Sequence, residues 1–501
     1  MSGVKRIFIC SDWHLGGSGD ESDGRGSIVT PGYQICRSTK ALTEFIDWIR
    51  SQVDPETEIE LIVNGDMVDF LAPDDGYDPV RWLGDEPAAI KRLNDIADRA
   101  RGSDGRGPFE ALRDLLAAGG ALTIMLGNHD LELSLPKVRA ALIERLGAVG
   151  RRFEFIYDGE ACIRGRLLIE HGNRYDPFNV VDFSRLRQER SHLSRGLRCT
   201  EEERDDNFFL PPYGSELVAQ VYNRLLPQAP FLNLLKPENE AALPLVLAIC
   251  PDSRSILEGA VMAFNLKKAC VVNRLRRPAQ PGRAGQLAAP TDGLYRSLDD
   301  VLSDVLGEDA KWFAPEEQQR GNLSSGLTLR AKLAALQEKG RALAAKVSLL
   351  EDVAHIFTAQ TDERRLQQVR IALRKVRDAA VFDVSTDSGP YLDAAREMIK
   401  VGGFTAVVFG HTHLAKSINV EGGTYFNCGT WADMLRLPES IGSADKAMAD
   451  ADIRRFIERM LVKNIEPYLW RRLTYVEAHV GTDGTVTSAL REFQAPAAPL
   501  K

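Results

Sequence analysis

Five short apolar runs, each closing on a polar cluster that carries histidine, aspartate or both, constrain this chain more than any other feature. The runs are Ile7–Cys10, Leu61–Val63, Leu122–Leu126, Leu167–Ile169 and Ala406–Phe409. The clusters that follow them are Ser11-Asp12-Trp13-His14, Asn64-Gly65-Asp66, Gly127-Asn128-His129-Asp130, Glu170-His171-Gly172 and Gly410-His411-Thr412-His413. Short apolar runs bounded by turn residues read as buried strands. They alternate with helix-like stretches such as Ala41–Ile49 and Phe109–Leu116, a rhythm that predicts an α/β fold. Ligand groups in such folds collect beyond the carboxyl ends of strands, so clusters remote in sequence are expected to meet at one sheet edge. Glycines 65, 127, 172 and 410 flank the clusters and permit the sharp turns this needs.

The residue types at that edge suit a pair of metal ions. Asp12 and Asp66 give carboxylates, Asn128 an amide oxygen, and His14, His171, His411 and His413 imidazoles. Mixed oxygen and nitrogen ligation without thiolate favours Mn²⁺, with Fe²⁺ or Zn²⁺ as alternatives, in an open site. Two divalent cations against two carboxylates leave an excess of positive charge that a phosphate group neutralises, and they can lower the pKa of a shared water and hold it for in-line attack. Of eight histidines in the chain, five fall inside the clusters, which core packing would not produce. His192, His355 and His479 lie outside the pattern and are assigned no role.

In the order DxH, GDxxD, GNH[DE], HG and GHxH, the segments Asp12–His14, Gly65–Asp69, Gly127–Asp130, His171-Gly172 and Gly410–His413 resemble the calcineurin-like metallophosphoesterase superfamily. The resemblance implies a β-sandwich flanked by helices. It also implies that Asp12, His14 and His413 hold a first metal, that Asn128, His171 and His411 hold a second, and that Asp66 bridges them. His129 would face the substrate and protonate the leaving oxygen, with Asp69 orienting it. Gly65–Phe70, Gly127–Leu131, Glu170–Asn173 and Tyr425–Trp431 look like the branch containing the UDP-diacylglucosamine pyrophosphatases, which cleave a pyrophosphate bond. That branch commonly carries Arg where this chain has His129, and its members are shorter. Asp12–Gly16 instead looks like the nuclease subunit of double-strand-break repair complexes. Retromer-type relatives, which use the fold as a scaffold, are a third reading, against which the complete ligand set argues.

The resemblance covers roughly the first 180 residues and Thr405–Met434. Three segments are therefore expected: 1–180 as the first part of the core, 181–400 as a mainly helical insertion or cap, and 401–501 as core completion with a helix and hairpin tail. Ser417–Val420 and Thr424–Asn427 read as one hairpin, Ser443–Leu473 as helical, and Thr474–Val480 with Thr485–Arg491 as a final hairpin. Leu333, Leu336, Leu343, Val347, Leu350 and Phe357 step as a heptad seam; Leu366, Val369, Leu373 and Val376 resume it after a polar break at Thr361–Arg364. A helical hairpin inside the molecule is favoured over homo-oligomerisation through this region. The insertion leaves just after His171 and returns just before His411, so it is expected to cover the metal edge and select substrate.

Charge bears on that substrate. Residues 181–400 hold 31 Lys+Arg and 30 Asp+Glu, whereas the remainder holds 32 against 41. An acidic remainder disfavours a broad nucleic-acid face, since phosphate contacts need clustered bases. A local exception runs from Gly259 to Thr291, with six bases and no acid. Arg174, Arg25 and Arg37 are candidates to grip substrate oxygens. Seven cysteines without a CxxC pair, and no apolar run long enough to cross a bilayer, point to a cytoplasmic protein without a membrane span.

Overall fold

The computed structural model describes residues 5–18, 21–22, 28–30, 34–73, 84–197, 209–226, 231–234, 242–250, 253–259, 297–313, 359–376, 389–437, 445–461 and 464–494, with a few isolated positions between them. Eleven strands form two facing sheets. In chain order they are β1 (Lys5–Cys10), β2 (Glu58–Asn64), β3 (Ala121–Met125), β4 (Phe153–Ile156), β5 (Cys162–Arg164), β6 (Leu167–Ile169), β7 (Ala406–Phe409), β8 (Lys416–Val420), β9 (Gly423–Asn427), β10 (Thr474–Val480) and β11 (Val486–Glu492). The first sheet runs β11-β10-β1-β2-β3-β4 and the second β8-β9-β7-β6-β5. Strands β1 to β4 are mutually parallel, as are β6, β7 and β9.

Parallel strands covered on both faces must be apolar on both faces, which is why β1 and β2 read as runs rather than alternations. Ile7, Ile9, Ile62 and Met125 point between the sheets and meet Leu167, Ile169, Val408 and Phe426. The alternate residues, Phe8, Leu61, Val63 and Ile124, pack outward on helices α1 (Thr39–Arg50), α2 (Glu86–Arg99), α3 (Pro108–Ala117) and α4 (Pro136–Arg145). On the other side Leu168, Val407, Phe409 and Tyr425 are covered by Leu392, Ala395 and Ile399 of α5 (Pro390–Gly402). The result is a four-layer α/β sandwich. Each fully buried Leu, Ile or Phe contributes roughly 1.5–3 kcal/mol to it.

The two sheets are also pinned by charge at the end remote from the ligand clusters. Arg164 of β5 grips Glu60 of β2 with Nε donating at 3.0 Å and Nη2 at 2.9 Å. The Lys5 ammonium of β1 and the Thr123 hydroxyl of β3 each approach the same carboxylate to 2.6 Å. Burial alone would raise Glu60, but Arg164, Lys5 and Thr123 outweigh it and hold the carboxyl at about 2.

A second apolar core lies in the helical part. Leu245 and Val246 of α6 (Ala242–Ile249), Val301 and Leu302 of α7 (Leu298–Leu306) and Val369 and Leu373 of α8 (Ala359–Val376) bury against one another. Phe456 and Ile457 of α9 (Lys446–Leu461) join them. The heptad positions Leu366, Val369 and Leu373 thus face an internal core. The polar break expected at Thr361–Arg364 is helical, since these residues belong to α8. The earlier heptad residues 329–357 and the basic stretch 260–291 lie outside the described residues. Ser443–Leu473 is not one helix: Leu469-Trp470 pairs as strand with Met434-Leu435. Both hairpins form where expected, within a residue at their ends.

Candidate metal centre

The loops after β1, β2 and β3 in the first sheet and after β6 and β7 in the second converge on one edge of the sandwich. The ligand edge therefore belongs to two sheets, three clusters from one and two from the other, and the facing of the sheets brings them together. Three groups of donor atoms result: Asp12, His14 and His413; Asp66, His171 and His411; and His14, Asp66 and His129. Within each group the atoms lie within 4.8 Å of one another. Asp66 Oδ2 is 3.7 Å from His14 Nε2 and 3.2 Å from His171 Nε2, so it stands between the first two groups.

Backbone conformation marks the same residues. Among the described residues, those other than glycine with left-handed φ are Asp12 (55°), His14 (45°), Asp66 (50°), His411 (68°) and His413 (62°). Each costs roughly 1–3 kcal/mol and persists only where the surroundings enforce it. Here hydrogen bonds do so: Asp12 N–H donates to Gly65 O at 3.1 Å, His14 N–H to Asp66 O at 2.9 Å, and His411 N–H to Asp12 Oδ2 at 2.9 Å. The Thr430 hydroxyl donates to Asp12 O at 2.6 Å. Glycine is required where loops touch. A Cβ on Gly127 would lie 2.0 Å from Asp66 Oδ1, and one on Gly65, itself at φ 80°, 2.4 Å from His171 Nδ1.

The donors are aimed by partners behind them. His171 Nδ1 donates to Asn64 O at 2.8 Å, which turns Nε2 to the Asp66 carboxylate. His14 Nδ1 donates to Asp69 Oδ2 at 3.1 Å, which turns its Nε2 to within 2.9 Å of His413 Nε2. His413 Nε2 in turn lies 3.3 Å from Asp12 Oδ1, so the donor atoms of the first group converge on one point. Asn128 Oδ1 is buried with no hydrogen-bond partner. A buried amide oxygen left so, beside the carboxylate and imidazole donors, is open to a cation.

Electrostatics agree. Burial would lower His14, but the Asp12, Asp69 and Asp66 carboxylates push the imidazole up to about 10. His171, lowered by burial and raised more by Asp66 and Asp12, reaches about 9. Asp12 and Asp66 are held below the usual carboxylate range against their own burial, by His14 and His413 for the former and mainly by His171 and His129 for the latter. The cluster takes positive charge either as protons or as cations that use the same lone pairs. The donor set fits divalent metal.

Asp69 does more than the sequence suggested. Its Oδ1 lies 3.2 Å from His129 Nδ1 while Oδ2 holds His14, and its Oδ1 also accepts from the backbone of Leu71 and Ala72. His129 is thus fixed beside the donor groups, with its ring 4.8 Å from that of His14. Asp130, quoted in the sequence only as the end of a cluster, clasps the β2 and β3 loops by accepting from Met67 N at 2.9 Å and Gly127 N at 2.7 Å. Burial and the nearby Asp66 charge push it up to about 7. Arg174 donates to Gly159 O at 2.8 Å and lies 3.6 Å from Glu170. Arg37 is half-buried in the field of Asp433 and Glu466, the pair gripped by Arg471. Arg25 lies outside the described residues. Asp176 and Asn179 were missed by sequence reasoning, although Asp176-Pro177 directly after a ligand cluster is a turn signal.

A two-sheet sandwich with clustered carboxylate, amide and imidazole donors at its edge defines a candidate metal-binding centre as a class. Residues 5–216 match the family model of the calcineurin-like phosphoesterases. The match includes Asp12, His14, Asp66, Asn128 and His171; His411 and His413 lie beyond it, across the helical region. No curated protein matches the chain. Metal-dependent phosphoester hydrolysis is the activity that this family and these donor groups support. No helix among the described residues is long and apolar enough to cross a membrane.

Proposed function

We propose that the chain is a hydrolase of phosphodiester or pyrophosphate bonds that uses two divalent metal ions. Asp12, His14 and His413 hold one, Asn128, His171 and His411 the other, and Asp66 both. The observation that supports this most is that the groups Asp12–His14–His413 and Asp66–His171–His411 adjoin, with Asp66 between them and five of the seven proposed ligands in strained left-handed backbone. Two such ions, manganese above iron or zinc, supply Lewis acidity and an activated water when bound. His129 gives a proton to the leaving oxygen, Asp69 holds its ring, and Arg174, Arg25 and Arg37 are the arginines proposed to steady substrate oxygens.

The middle segment, 181–400, serves as a cap in this reading. Its residues Pro211, Ser215, Glu216 and Ala219 line a small cleft together with Asn128 and His129. Asn223 donates to Leu71 O at 2.7 Å, tying the same segment to the loop that carries Asp69. Purified protein given Mn²⁺ is expected to hydrolyse bis-p-nitrophenyl phosphate and to bind two metal ions per chain. Absence of both would sink the enzyme reading and leave a scaffold. A panel of sugar nucleotides, nucleotides and linear DNA then separates pyrophosphatase from nuclease.

A further inference from the structure

Resting on the two-metal reading, we infer that Asp176 and Asn179 form a clasp that positions two ligands of the second metal, His411 and Asn128, and ties them to the cap. Both clasp residues lie in the turn that opens the helical region. The Asp176 carboxylate accepts from Phe178 N at 2.9 Å and from Asn179 Nδ2 at 2.7 Å, so the turn is closed on itself. Asn173 Nδ2 donates to Asn179 O at 2.8 Å and ties it to the His171 loop.

From this turn two contacts reach the donor groups. Asp176 Oδ2 lies 3.2 Å from His411 Nε2, which spends that nitrogen on the carboxylate and leaves Nδ1 as the atom for metal. Carboxylate–imidazole pairs of this kind fix ring orientation and raise ligand basicity. Asn179 Oδ1 accepts from Asn128 Nδ2 at 3.3 Å, which fixes the amide and leaves Oδ1, the buried oxygen without a partner, as its donor atom. His411 and Asn128 come from different sheets and are 283 positions apart. One turn thus sets the aim of both. First-metal ligands have other supports: His14 leans on Asp69, and Asp12 is braced by Thr430 and His411 N–H.

The cap presses on this turn. Gly214 N–H donates to Phe178 O at 3.0 Å, and a Cβ on Gly214 would fall 2.2 Å from Asn179 Oδ1. Any displacement of residues 213–217 is therefore felt at Asn179 and through it at Asn128. Occupancy of the second metal reports on the position of the cap.

Titrating Mn²⁺ into the metal-free full chain by calorimetry, with electron paramagnetic resonance of the product, tests this. Asp176→Ala and Asn179→Ala are expected to weaken the second binding step about 10–100-fold while leaving the first within twofold. The exchange-coupled signal of paired Mn²⁺ is expected to give way to that of isolated ions. Asp176→Asn, which keeps an acceptor oxygen, restores part of the loss. Gly214→Ala, which touches neither ligand, is expected to weaken the second step in the same way. Thermal unfolding of each metal-free variant separates this from misfolding, and any variant that fails to fold yields to the others. If Asp176→Ala, Asn179→Ala and Gly214→Ala all bind both ions as the parent does, or weaken both steps equally, the clasp is wrong. If the parent chain itself binds fewer than two ions, the two-metal reading fails instead.

Discussion

Asp12, His14, Asp66, His411 and His413 hold a backbone that residues with a Cβ avoid, and each carries a donor atom into the site. The strain can be measured apart from metal. In metal-free protein His411→Gly is expected to be more stable than His411→Ala by about 1 kcal/mol in urea unfolding, since glycine meets left-handed φ without the Cβ clash. Neither variant is expected to bind the second ion with parental affinity. His129 gives the opposite pattern. His129→Ala is expected to retain metal content by elemental analysis and to lose roughly 10²–10⁴ in turnover, the range for a positioned acid. Loss of metal instead would place His129 among the ligands. The sequence identified these side chains because short polar clusters after apolar runs are a local signal. It did not show Asp69 serving His14 and His129 together, or the aim of Asp176, because those depend on which loops touch.

The strands were legible as buried runs, but not their sheet. Leu167–Ile169 and Leu61–Val63 are alike in composition, and only pairing with β7 or with β1 and β3 assigns them. The Glu60–Arg164 pin between those sheets predicts an acid response. Glu60 titrates near 4.5 in the unfolded chain and at about 2 in the fold. Its contribution, on the order of 3 kcal/mol, is therefore complete above pH 4.5 and lost as pH falls toward 2. Glu60→Gln is expected to lower stability at pH 7 and to flatten the decline between those values in denaturant titrations. An unchanged acid limb would show that the pin contributes little. The helix at Lys446–Leu461 was legible as a helix; its partners were not, because an amphipathic face names no neighbour.

At the scale of the molecule, the last strands extend the first sheet beyond β1: β10 pairs with β1 over Lys5–Ile9 and with β11 on its other side. A chain ending at residue 465 leaves β1 with an open apolar edge and is expected to lose cooperative thermal unfolding. Metal is expected to act at the same scale, because the candidate donor groups come from both sheets and both sides of the helical region. Saturating Mn²⁺ at about 100 times its Kd is expected to stabilise the fold by about 2.7 kcal/mol per site, and a chelator to reverse it. Sequence by itself determined the α/β class, the polar clusters that carry the candidate donors and the point where the helical region interrupts the strands, since each is written in contiguous residues. Tertiary structure alone decided that the donors divide between two facing sheets, that the C-terminal helix packs with the inserted helices, and that the turn at Asp176–Asn179 stands behind His411 and Asn128. The physical reason is that a run of apolar residues fixes burial, whereas its partners are chosen by hydrogen bonds and packing between segments hundreds of residues apart.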